Sequence, residues 1–168
     1  MIIKGYHGTN VRIAHRVKRE KNLQHIACHG PLGHGIYFFA RKNRSGAPDN
    51  VILKRMGSYT SGGGLAVVSA DMHVVDDDVG ILNLDSDLAK SVIDKTRNKL
   101  EQQGETEKEA RAKAIRLTFL RLERLNKHPA LASLDISVVD SSGRVFDAVC
   151  FRVIEAKIID KTSINYIS

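Results

Sequence analysis

Cysteine is scarce: Cys28 and Cys150 are the only two in 168 residues. Two thiols do not make a disulfide framework, so a reducing compartment is expected. Long apolar runs are missing as well. None approaches the roughly 20 residues a membrane-spanning helix needs. The opening Met1-Ile2-Ile3-Lys4-Gly5-Tyr6 turns polar too soon for a signal peptide. The chain therefore reads as cytoplasmic, with no membrane role. Acids are nearly absent from one third of it. Residues 1–55 hold eleven Lys or Arg against only Glu20 and Asp49, a local balance of +9. The whole chain carries +7, so the remainder sums to −2.

The rest of the composition is ordinary. Apolar residues at 42% and charged residues at 27% suit a folded chain rather than a disordered one. Its length suits a single domain over 1–168 with a sizeable core. The basic third also holds His7, His15, His25, His29 and His34. A field of that sign draws in anions, either a phosphate-rich ligand or nucleic acid.

Patterning gives the order of elements. Residues 1–7 alternate as a strand, with Gly8-Thr9-Asn10 turning out of it. Val11 to Asn22 fits a basic amphipathic helix. Leu32 to Phe39 is a glycine-rich loop feeding a strand. Residues 41–50 read as a basic loop, and Leu65–Val75 as a strong strand. Asp85 or Ser86 caps one helix, and Thr106 with Glu109 forms a capping box for a second, running to about Asn126. Asp135–Val139, Val145–Val153, Glu155–Ile159 and Ile164–Ile167 read as strands. Strands, two helices, then strands argue an α+β domain with antiparallel sheets.

Two short motifs stand out. Tyr6-His7-Gly8-Thr9 closes the first strand, and Gly33-His34-Gly35-Ile36-Tyr37-Phe38-Phe39-Ala40 opens the next. The first resembles the opening motif of the ADP-ribosyltransferase superfamily. The second is similar to the glycine-led strand of the poly(ADP-ribose) polymerases. Together they resemble the His–Tyr–Glu type, shared by diphtheria-toxin-like and polymerase-like members. Glu155, ahead of Ile158-Ile159-Asp160, fits the outline of the third position. Asp147 and Asp140 are further candidates for that acid. The resemblance implies split antiparallel sheets, with a two-helix insertion over about 85–130. It leaves residues 85–134 unmatched.

The same resemblance implies NAD+ as substrate and assigns roles. Glu155 would hydrogen-bond the nicotinamide ribose and favour the cation that develops as nicotinamide leaves; glycosidases use a carboxylate against similar charge. His7 would hold the adenosine-side ribose, since a neutral imidazole offers a donor and an acceptor. Gly8 would let the carboxamide approach bare backbone. Thr9 and Gly35 belong to the same cofactor-binding motifs. Tyr37 would stack on nicotinamide, with Tyr59 as a candidate for the second side. ADP-ribose would pass to a macromolecular acceptor, RNA or DNA being favoured over protein by the basic third. A toxin or phage-related effector, paired with an antitoxin or inhibitor protein, fits a catalytic domain of this size by analogy.

Other readings are weaker. His25, Cys28, His29 and His34 lack the fixed four-ligand spacing of a zinc site, so no metal is expected. Cys28 and His29, as neighbours on a strand, point to opposite faces and have no orienting acid for nucleophilic catalysis. Gly30–Gly35 lacks the Gly-Lys-Ser/Thr of a P-loop. A non-catalytic nucleic-acid-binding module on the same fold is one alternative, although few aromatics interleave the basic residues. RNA 2′-phosphotransferases share the fold and are the other, with Arg12 and Arg16 as the arginines they would require.

Overall fold

A computed structural model of the chain describes residues 1–42, 64–75, 80–126, 129–139, 143 and 145–168. In order these form β1 (Ile2–Asn10), α1 (Val11–Glu20), β2 (Cys28–Gly30), β3 (Gly33–Arg41), β4 (Leu65–His73) and β5 (Ile81–Asn83). There follow α2 (Asp87–Gln102), α3 (Glu107–Leu125), β6 (Leu131–Val139), β7 (Val145–Val153) and β8 (Ile159–Ile167). Short 3-10 turns cover Leu23–Ile26 and Ala156–Ile158.

Caps start the helices. The Asn10 side chain accepts from the Ile13 amide at 2.8 Å, so β1 runs straight into α1 where the glycine had suggested a turn. The α1 helix ends at Lys21, held left-handed at φ 53° and ψ 31°. Ser86 accepts from the Ala89 amide and Thr106 from the Glu109 amide, both at 3.3 Å. Asp85 does not cap. It accepts from the Asp135 amide at 2.7 Å and so ties the start of α2 to β6. The expected strand Glu155–Ile159 is instead a 3-10 turn, and β8 is one continuous strand from Ile159.

The strands form one open sheet in the order β5-β6-β7-β3-β1-β4-β8, with β2 pairing to β3. All recorded pairs are antiparallel except β5 with β6. β1 pairs with β4 along its whole length, and β3 pairs with β7 from Ile36 to Arg41. In contrast, β1 and β3 share a single register pair, Tyr6 with Phe39. The sheet is connected, yet its centre is joined at one point. From His7 to Asn10, β1 has no ladder pair in β3.

The two faces bury different clusters. One packs Ile36, Phe38, Val68, Met72 and Phe151 against Ala14 and Val17 of α1. The other packs Tyr37, Phe39, Val67 and Cys150 against Leu84 and against Phe119 of α3. Strand alternation explains the division, because consecutive residues of β3 go to opposite clusters. α2 and α3 lie between β5 and β6 in the chain, the place expected for the helical pair.

Candidate active site

His7 lies where β1 and β3 separate. It is directly opposite Val68 on β4, so its side chain falls on the α1-covered face. Only 7% of it is exposed. Burial lowers its pKa, and its backbone hydrogen bond opposes this more weakly. Nδ1 is 2.7 Å from the Tyr37 carbonyl across the gap. A carbonyl can only accept, so Nδ1 carries the proton. In the neutral ring Nε2 is then an acceptor. Gly8 and Thr9 follow on β1, opposite Val67 and Ala66, and Thr9 is buried.

Tyr37 is tied to His7 through its backbone, while its side chain projects to the other face. That ring is 1% exposed. Its hydroxyl donates to the Gly33 carbonyl at 2.6 Å and accepts from the Leu32 amide at 3.1 Å. Burial pushes the phenol up to about 12. The backbone of Gly30 lies against the ring; a Cβ there would stand 2.4 Å from Cζ. This corrects the expected role. Nicotinamide finds no open ring to stack on, because the β2–β3 hairpin already covers it. What Tyr37 supplies is the carbonyl that orients His7.

Gly35 pairs with Cys28 of β2. Its missing side chain makes room for Arg152, whose Nε would stand 2.8 Å from a Cβ there. The motif reading did not single out Arg152. It pairs with Tyr37 in register, donates from Nη2 to the His34 carbonyl at 3.0 Å, and lies 4.9 Å over the Phe119 ring. Its Nε is buried without a partner among the described residues. A single cation inside the apolar run Val145–Val153 was the signal for it.

The candidate acids are separated by geometry. The β3–β7 ladder runs from Ile36 with Val153 to Arg41 with Ala148, so Asp147 and Glu155 lie beyond its opposite ends. Along β7, Asp147 is four residues from Phe151, the partner of Phe38, or about 13 Å at ~3.3 Å per residue. Alternation along β7 puts Asp147 with Val149 and Phe151, on the face that carries His7. Asp147 is exposed and accepts from the Ser137 hydroxyl at 3.1 Å. Glu155 lies past the end of the ladder, with its amide on the Ala130 carbonyl and its carboxylate 2.8 Å from Lys157 Nζ. Asp140, Tyr59 and most of the basic loop 41–50 lie outside the described residues.

The remaining polar residues are dispersed. His25 contacts Glu20 at 2.6 Å, and His29 and His34 face each other across the β2–β3 hairpin with ring centres 5.1 Å apart. Burial pushes both the Cys28 and Cys150 thiols up, which works against a thiolate nucleophile. Comparison with family models, curated proteins and solved structures finds no match to this chain.

Proposed function

We propose that the chain is an NAD-dependent ADP-ribosyltransferase whose donor site is the opening between β1 and β3. One observation carries this reading. His7 is buried, neutral, and oriented by the Tyr37 carbonyl so that Nε2 is an acceptor. That is the chemistry needed to take a hydrogen bond from a ribose hydroxyl. Beside it, the backbone edge of Gly8 and Thr9 has no ladder partner in β3 and can meet a carboxamide.

In the reaction the bond between the ribose carbon and the nicotinamide nitrogen breaks, and its electron pair leaves with nicotinamide. A nucleophile on the acceptor bonds to that carbon and gives up its proton. The group facing the cation is a carboxylate, Glu155, Asp147 or Asp140. Asp147 shares the face of His7; Glu155 keeps the position implied by the family motif.

The test is incubation with NAD labelled on its adenosine side, followed by assay of nicotinamide release and of label transfer to RNA, DNA and cell protein. Release and transfer are expected. No release with any acceptor rejects the reading. Glu155→Gln, Asp147→Asn and Asp140→Asn separate the three acids: the true one lowers turnover on the order of 10²–10³-fold, with NAD affinity nearly unchanged. His7→Ala weakens NAD binding instead.

A further inference from the structure

The outer side of α1 carries charge that the site around His7 does not use. Arg12, Arg16, Lys18 and Arg19 are all exposed, while Ala14 and Val17 turn inward. The one acid on the helix, Glu20, is already engaged by Arg16 at 3.2 Å, Arg19 at 3.0 Å and His25 at 2.6 Å. Among the described residues Lys18 has no carboxylate partner. Its Nζ donates to the Asn165 side chain at 2.9 Å and sits 5.8 Å over the Tyr166 ring. The His15 and Tyr166 rings meet edge-on with centres 6.4 Å apart.

Together His15, Lys18, Arg19, Lys21 and Tyr166 line a depression of about 590 Å³, with no carboxylate in its lining among the described residues. Lys21 is the only described non-glycine residue with positive φ. Glycine would hold that backbone more easily. A lysine is nonetheless present, and its ammonium group is added to the rim. Register fixes the distance from His7. His7 pairs with Val68, and Val68 pairs with Tyr166. Tyr166 therefore lies two strands from His7 in one row, about 10 Å at ~4.8 Å per strand.

We propose that this depression between α1 and β8 docks a single-stranded nucleic acid, with phosphates on Lys18 and Lys21 and a nucleobase against Tyr166. Lys18 and Lys21, which no recorded carboxylate engages among the described residues, favour a polyanion. The half-buried ring distinguishes a strand with exposed bases from a lipid headgroup, because every base has a face to stack. Its place in the row with His7 makes the bound strand the acceptor of the transferred ADP-ribose. That last step rests on the proposed transferase reading; the docking itself does not.

The experiment measures fluorescence anisotropy of a short labelled oligouridine on the intact protein across a salt series. Lys18→Ala with Lys21→Gly weakens binding at least tenfold. It also reduces the slope of log K against log salt by about 1.4, since each phosphate on a single strand contributes about 0.7. Lys21→Gly alone weakens binding while raising the unfolding midpoint, a combination that a purely structural lysine does not give. Tyr166→Leu weakens binding about tenfold and leaves the salt slope alone. Unchanged oligouridine affinity in the double variant overturns the proposal. So does duplex RNA, or a phosphatidylserine vesicle, binding as tightly as the single strand. Nicotinamide release without oligonucleotide is followed in the same variants and stays at the wild-type rate. If the wild-type protein releases no nicotinamide with any acceptor, yet oligouridine binding changes as stated, the transferase reading fails and the docking site stands.

Discussion

The two faces of the sheet make opposite uses of adjacent residues. On the α1 side, His7 is buried with one ring nitrogen engaged and the other, among the described residues, without a recorded partner. On the α2–α3 side, Tyr37 is buried with its hydroxyl doubly bonded and its ring covered by Gly30. The two are joined only where His7 reaches the Tyr37 backbone. Burial alone thus does not separate a site from a core. What separates them is whether the buried polar group has spent all its hydrogen-bonding capacity.

That contrast can be tested, beginning with the largest expected effect. Phe119→Ala removes a fully buried ring from the α3 layer. It should cost about 3–5 kcal/mol in urea unfolding. NAD binding by the surviving folded fraction should be intact if the faces are independent, and its loss would show them coupled. Gly30→Ala forces a methyl group into the Tyr37 ring. Overpacking of this kind costs about 1–3 kcal/mol. It should also loosen the hairpin, seen as faster amide exchange at Cys28–Gly30. A smaller change, Tyr37→Phe, leaves the Leu32 amide and Gly33 carbonyl without their partner, at a cost of about 1–2 kcal/mol. Wild-type stability in that variant would mean the hydroxyl is dispensable.

The smallest effect is in pH dependence. Burial lowers the folded pKa of His7 below its ordinary 6.5. The unfolded chain therefore binds a proton that the folded chain refuses. Stability on this account is full above about 6.5 and is lost as pH falls from there towards the folded pKa. His7→Gln should flatten the slope of unfolding free energy in that window. An unchanged slope would mean the ring is not held neutral.

Much of this was legible in the chain. β7 runs over Val145–Val153 as patterning indicated, since a run rich in apolar and β-branched residues, broken only by Asp147 and Arg152, suits a strand. Thr106 caps its helix as expected, because an N-cap is a contact between residues three apart. Strand alternation is enough to divide Ile36–Phe39 between the two faces of β3. Local chemistry did not reveal β5, a three-residue strand that exists because β6 lies alongside it. Nor did it reveal that Asp85 would serve β6 rather than α2.

By itself, then, the sequence determined most of the longer strands and helices, the Thr106 cap, the basic first third and the two motifs that hold His7 and Tyr37. These depend on neighbours within a few residues. Tertiary structure decided what those motifs do. It turned the Tyr37 ring away under Gly30, set the Tyr37 carbonyl against His7, brought Arg152 behind Gly35 and aligned Tyr166 with His7 through Val68. Each of these is fixed by strand register between distant segments, and register is set by how two faces bury, which no short window of sequence contains.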